Sequence, residues 1–311
     1  MNHQMNLFGE ECTENAITNV ASVPQRSPFR YPGGKTWLIP IVRQWLRQTG
    51  KPVTKLIEPF AGGGIVSLTA AFENLANHIT MVEKDEEIAA VWEIILNEKN
   101  QWLADKILSY NLTLDNIKAE IDKPDKQIQD VAFCTILKNR IFHGGILARG
   151  AGMIKNGENG KGIASRWYPK TLHDRIIAIG YVKQKIQFIT GDAFDTLKQN
   201  RDNRETCFFI DPPYTVAGKR LYNHSEIDHE QLFALTSELK GKFMLTYDNT
   251  DEIQKLAESY HLPYKTIPMK TTHHLEKTEI IISDNFSWWK WPGPQNVAEA
   301  SSPLTSFLMK D

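Results

Sequence analysis

Four consecutive residues, Asp211-Pro212-Pro213-Tyr214, place a carboxylate, two amide-less residues and an aromatic ring directly after the apolar run TCFFI. Two prolines can neither continue a helix nor donate to a sheet ladder, so the backbone is stiff and its carbonyls stay available as acceptors. The set suits a planar amino group: Asp211 and the Pro212 carbonyl accept its two N–H bonds while Tyr214 stacks on the attached ring. The competing reading is a rigid turn with a capping Asp and a core Tyr.

Three other acids stand in comparable positions. Glu58-Pro59-Phe60-Ala61-Gly62-Gly63-Gly64 follows an apolar run, and its glycines let backbone amides approach a ligand closely. Such turns also serve plain tight connections. Glu83-Lys84-Asp85 ends the next run, and the Glu83 carboxylate can accept bonds from two vicinal hydroxyls, as a ribose presents them; an acid favoured by a helix N-terminus is the alternative. Gly191-Asp192 ends a third run, with a surface turn as its alternative.

The elements around these residues give them a common place. The segments KLIEPF, HITMVEKD, KIQFITGD, TCFFIDPPY, KFMLTYDN and TEIIISDN read as strands, and residues 65–75, 86–96 and 228–239 carry helical spacing. Alternation of this kind implies an α/β domain with a largely parallel sheet, in which ligands bind beyond the carboxyl ends of the strands. The alternation stops near Asn97 and resumes at Lys185. Helices are expected within the insert at 102–121 and 128–141, followed by the loop HGGILARGAGMIKNGENGKG, too rich in glycine for helix or strand.

Composition narrows the classes. A chain of 311 residues with 41% hydrophobic content is globular, not disordered, and forms one large domain or two modest ones. No apolar run approaches the roughly 18 residues of a membrane span, and the start MNHQMNLFGEECTEN lacks the pattern of a signal peptide, so a cytoplasmic location is expected. Cys12, Cys134 and Cys207 stand far apart and are expected as buried thiols, without disulfide or zinc. Charge is balanced over the chain, 36 basic against 37 acidic residues, but Lys138 to Lys185 holds ten basic and two acidic residues. That local +8 suits a polyanion. Phe286, Trp288, Trp289 and Trp291 are expected to pack the sheet edge rather than stack on nucleic acid, residues 1–27 to form a mobile leader and 288–311 a loosely held tail.

On these residues the sequence resembles the Dam-like (D12 class) adenine-specific DNA methyltransferases. The resemblance spans most of 28–286 and rests on Arg30-Tyr31-Pro32-Gly33-Gly34-Lys35, EPFAGGG at 58–64, GDAF at 191–194 and DPPY at 211–214, in that order and with the basic insert between the second and third. His229-Glu230, FMLTYDN at 243–249 and Lys277-Thr278-Glu279-Ile280-Ile281-Ile282 also match. It implies a Rossmann-like methyltransferase fold with a mostly parallel seven-stranded sheet, a catalytic domain from 28–100 and 186–287, and a largely helical target-recognition insert at 101–185. S-adenosylmethionine is the implied cofactor, with Tyr31, Gly33, Gly34, Lys35, Glu58, Phe60, Gly62 and Gly63 around it, Glu83 on its ribose and Asp192 on its adenine amine. Asp211, Pro212 and Tyr214 would hold a flipped target adenine. Double-stranded DNA would lie on Lys138, Asn139, Arg140, Arg149, Lys155, Lys161 and Arg166, the lysines on phosphates and Arg140 and Arg149 on guanine edges. For any one of these a solvated basic face is the alternative. A monomer without metal is expected, with room for a cognate restriction system. The family's Asn-Arg-x-x-x-Asn-Gly-Leu-Tyr-Arg pattern is only partly kept in Asn139-Arg140-Ile141-Phe142-His143-Gly144-Gly145-Ile146-Leu147-Ala148-Arg149, so its best-known target does not carry over. RNA methylation and a non-catalytic DNA-binding relative are the alternatives; a dehydrogenase is disfavoured because EPFAGGG lacks GxGxxG spacing.

Overall fold

Strands form where β-branched and aromatic residues cluster between turn residues, and seven of them share one sheet. The computed structural model describes residues 23–30, 34–48, 50–147, 151–157, 160–214, 227–270 and 276–290. A 3-10 turn at Lys35–Leu38 leads into α1 (Ile39–Leu46), then β1 (Val53–Glu58), α2 (Ile65–Phe72), β2 (Ala76–Glu83) and α3 (Glu86–Leu96). The insert supplies α4 (Asn100–Ser109), α5 (Leu114–Ile121), α6 (Ile128–Ile141) and α7 (Pro169–Gly180). The chain returns as β3 (Ile186–Thr190), α8 (Ala193–Asn200), β4 (Thr206–Ile210), α9 (His229–Glu238), β5 (Lys242–Asp248), α10 (Asp251–Ser259), β6 (Tyr264–Lys270) and β7 (Glu276–Ser283). The order β3-β2-β1-β4-β5-β7-β6 is parallel except for β7, which runs antiparallel between β5 and β6. The chain reverses direction across the sheet between β1 and β4, the switch point at which such sheets bind ligands. Among the described residues no helix is long and apolar enough to cross a membrane.

Two local expectations change. The segment YKTIPMK, not among the expected strands, is β6; Pro268 is tolerated there because β6 lies at the sheet edge, where a missing amide proton costs least. The single helix expected over 102–121 is two, interrupted at Tyr110, with the Thr113 hydroxyl accepting from the Asn116 amide (3.2 Å) to start α5.

The insert is packed into the same apolar core as the sheet. Phe133, Ile136 and Leu137 of α6 and Leu172 and Ile176 of α7 join Trp92 and Ile94 of α3 in one continuous cluster. Phe286, Trp288 and Trp289 pack together at ring separations of 5.4–5.8 Å with the Lys265 ammonium over two of the rings, as expected for a sheet-edge cluster; Trp291 lies outside the described residues. Cys134 and Cys207 are free and buried, and Cys12 is outside the described residues. Of the segment expected as a mobile leader, Val23 is buried and Arg26 bonds Glu73 (3.1 Å); Trp288, expected in the tail, is buried as well.

The segment at 28–30 is tied down by the insert. The Asn139 side chain accepts from the Arg30 amide (2.8 Å) and donates to the Arg30 and Gly145 carbonyls (2.9 Å each), Arg140 donates to the Pro28 carbonyl, and Arg175 donates to the Ser27 carbonyl (3.1 Å). Gly145 makes this contact possible: its φ is +77°, and a Cβ there would stand 2.5 Å from the Arg30 oxygen. Gly144 also has a positive φ, +68°, but a Cβ there meets nothing closer than Ile146 at 3.4 Å. Gly144→Ala should therefore cost only the left-handed backbone penalty, about 1–2 kcal/mol, and Gly145→Ala should cost at least about 1 kcal/mol more. Urea melts of the two variants check this, and equal losses would dismiss the close-contact account.

Candidate active site

The carboxyl ends of β1, β2 and β3 carry the first cluster. Gly62 and Gly64 take positive φ (+46° and +61°), turning the chain sharply from β1 into α2. A Cβ at Gly64 would stand 2.6 Å from the Met81 methyl and 2.9 Å from the Trp92 ring. The Glu83 carboxylate accepts from the Gly62, Lys84 and Asp85 amides (2.9 Å each), and the Trp92 indole donates to the Gly62 carbonyl (2.9 Å). Asp85, not Glu83, is the N-cap of α3, accepting from the Glu87 and Ile88 amides (2.9 and 3.3 Å). Asp192 caps α8 through the Phe194 amide (2.8 Å) and pairs with Lys84 (2.9 Å); burial would raise its pKa, but these two donors hold it below the ordinary carboxylate value. The Phe60 ring stands edge-on to Phe194 at 6.5 Å. Glu58 is 3% exposed and accepts from the Ser67 amide (2.9 Å); burial pushes its carboxyl up to about 8.

The second cluster gathers at the carboxyl end of β4. Asp211 Oδ1 accepts from the Thr246 hydroxyl (2.7 Å) and pairs with the Lys35 ammonium (3.0 Å). Among the described residues both contacts fall on Oδ1, leaving Oδ2 for an incoming donor. Lys35 also donates to the Tyr214 phenol oxygen (2.5 Å) and lies 3.5 Å from Glu279 Oε2, while the phenol donates to Glu279 (3.1 Å). The Tyr214 ring stacks on Tyr247 at 5.7 Å and 26°, and the Tyr247 phenol is hydrogen-bonded to His229 Nδ1 (2.7 Å). Burial alone would lower the Lys35 pKa, yet Asp211 and then Glu279 raise it above the ordinary value. Burial, Asp211 and Glu279 raise the Tyr214 phenol well above its usual value, so it stays a donor. The groups can together accept a planar amine at an oriented carboxylate next to a fixed aromatic ring.

The expected site residues divide accordingly. Glu58, Phe60, Gly62, Gly63, Glu83 and Asp192 line the ends of β1 to β3, and Lys35, expected beside a cofactor, meets Asp211 and Tyr214. Gly34 leads into the 3-10 turn; Tyr31, Gly33 and Arg149 lie outside the described residues. Pro212 is buried next to Asp211. Lys138 pairs with Glu87 (2.6 Å), Lys155 and Lys161 are exposed, and Arg166 is half-buried. Asn139 and Arg140, expected on DNA, are 1% and 4% exposed, and their hydrogen bonds go to the backbone of Arg30, Gly145 and Pro28. Burial, with Arg175 and Arg30 nearby, pushes the Arg140 guanidinium down to about 9.

Thr246 and Glu279 had no assigned role in the sequence. Thr246 follows the apolar run FML in β5 and Glu279 precedes the apolar run III in β7, and a polar residue bordering such a run was the readable signal.

A carboxyl whose folded-state pKa is raised binds its proton more tightly when folded, so its contribution is whole below the unfolded pKa and lost as pH rises through the folded value. For Glu58 that window runs from 4.5 to about 8. Glu58→Gln should therefore gain stability relative to the parent between pH 5 and pH 8, by on the order of a few kcal/mol; denaturant melts at the two pH values measure it, and a constant difference would rule it out.

No curated protein matches this sequence. Solved structures to which the chain shows similarity include the rRNA methyltransferase aviRa from Streptomyces viridochromogenes (12% identity over 81% of this chain and 86% of that one, TM-score 0.37). Another is a precorrin-6y C5,15-methyltransferase from Geobacter metallireducens GS-15 (12% identity over 78% and 84%, TM-score 0.34). Similarity this low says nothing about substrate. A model of the D12 class N6 adenine-specific DNA methyltransferases matches residues 31–272. That stretch contains the glycine turn, Glu83, the basic insert, Asp192 and the Asp211–Lys35–Tyr214 cluster, and the chain belongs to the D12 class N6 adenine-specific DNA methyltransferase family.

Proposed function

We propose that the protein transfers a methyl group from S-adenosylmethionine to the exocyclic N6 amine of an adenine flipped out of duplex DNA. The observation that carries the reading is the orientation of Asp211: Thr246 and Lys35 fix Oδ1, Pro212 stiffens the adjoining backbone, and Oδ2 is left for an incoming N–H. Glu83, half-buried and held by three amides, suits the ribose hydroxyls; the glycine turn, Phe60 and Asp192 suit the remainder of an adenosyl group. S-adenosylmethionine, when bound, supplies a methyl already activated by its sulfonium charge.

The amine is a poor nucleophile because its lone pair is delocalised into the ring. Hydrogen bonds to Asp211 Oδ2 and the Pro212 carbonyl localise that lone pair and aim it, and alignment within about 3–3.5 Å supplies much of the remaining acceleration. This chemistry requires no metal. Flipping costs a few kcal/mol of unstacking, offset in part by an aromatic platform at Tyr214. The exposed Lys155 and Lys161, within the basic insert, grip phosphates.

Asp211→Ala should abolish methyl transfer from labelled S-adenosylmethionine while calorimetry still detects cofactor binding. The assay runs on unmethylated duplex DNA, single-stranded DNA and RNA in parallel, with nucleoside analysis; near-normal turnover of the variant refutes the role of Asp211, and label in RNA alone refutes the DNA reading. The double variant Lys155→Glu, Lys161→Glu should weaken DNA binding and flatten the slope of log affinity against log salt by about 2. A filter-binding titration at several salt concentrations measures it, and a slope identical to the parent's removes these lysines from the interface.

A further inference from the structure

We infer that Glu279 is a positioning residue of the methyl-transfer site, fixing the Tyr214 phenol and sharing Lys35 with Asp211 so that Asp211 meets the substrate amine as an oriented anion. The inference rests on the role proposed above for Asp211 and Tyr214.

Glu279 is 6% exposed on β7, directly opposite Asp248 of β5 and one pleat along from the pair Thr246–Ile281, so the side chains of Thr246 and Glu279 leave the same face of the sheet. Its neighbours Ile280, Ile281 and Ile282 are fully buried. An apolar residue would suit that strand at least as well, because burying a carboxylate costs more than its pairing returns unless the geometry is excellent. A local rule broken in this way is characteristic of functional positions.

The contacts say what the acid does. The phenol has one proton, and it goes to Glu279 (3.1 Å), so it does not compete with a substrate amine for Asp211. The Lys35 ammonium, 3.0 Å from Asp211 and 3.5 Å from Glu279, is divided between two carboxylates instead of neutralising one. With the hydroxyl held on one side by Lys35 and on the other by Glu279, and the ring stacked on Tyr247, the Tyr214 plane is fixed before a base arrives. Burial raises the Glu279 carboxyl above its ordinary value and Lys35 opposes that shift, as a shared ammonium requires.

The test pairs kinetics with a direct view of Tyr214. Glu279→Gln keeps the shape but not the charge, and Glu279→Leu serves where the first variant folds poorly. On unmethylated duplex DNA, kcat should fall about tenfold while KM for S-adenosylmethionine stays within about twofold; in a Tyr214→Phe background the same change should alter kcat by less than about twofold. Protein labelled with fluorotyrosine carries nine tyrosines, and the Tyr214 fluorine signal, assigned by its loss in Tyr214→Phe, should shift in Glu279→Gln. Unchanged kcat, effects that multiply in the double variant, or an unmoved fluorine signal each overturn the inference. If the parent protein methylates neither DNA nor RNA, the functional reading fails, and the fluorine signal alone then decides the positioning: moved, it stands; unmoved, it falls.

Discussion

Lys35 carries a positive charge into a place where it is only 3% exposed, and the surrounding architecture exists to make that tolerable. An uncompensated ammonium there would cost several kcal/mol. Three of its contacts come from two separate parts of the chain: Asp211 and Tyr214 just past β4, and Glu279 on β7. They can converge only because β4, β5 and β7 lie side by side, which in turn requires the antiparallel entry of β7 between β5 and β6. The antiparallel placement of β7 is thus what brings a second carboxylate to the lysine.

The same lysine depends on the insert. Lys35 follows a segment whose upstream end, residues 28–30, is held by Asn139, Arg140 and the close approach of Gly145. α6, which supplies Asn139 and Arg140, packs on α3, and α3 starts at the Asp85 cap, whose amide donates to Glu83. The region carrying the exposed lysines and the region carrying the carboxylates are therefore braced against each other through packed side chains.

Much of this was legible from local pattern. Strand ends marked by Asp, Glu, Gly and Pro located Glu58, Glu83, Asp192 and Asp211 at one rim, because a parallel sheet places every such turn on the same edge. What escaped was pairing across distance. Nothing near Asn139 or Arg140 says that their partners are the Arg30 and Pro28 carbonyls more than a hundred residues away, so their charge and polarity read as surface chemistry. β6 escaped because Pro268 breaks the strand signal and only the sheet's outline shows that an edge position excuses it. Tyr214 was readable as an aromatic beside a carboxylate, but its bonds to Lys35 and Glu279 span 179 and 65 residues and leave no local trace.

The placement of β7 also fixes when the molecule can become competent. The ammonium of residue 35 has one carboxylate partner once β4 is made, but its second, and the acceptor for Tyr214, are synthesised only with residues 276–283. Sheets built from such distant pairings fold slowly, since loop closure must precede the contacts that reward it. A chain still emerging from the ribosome therefore holds an unfinished centre until β7 has taken its place between β5 and β6.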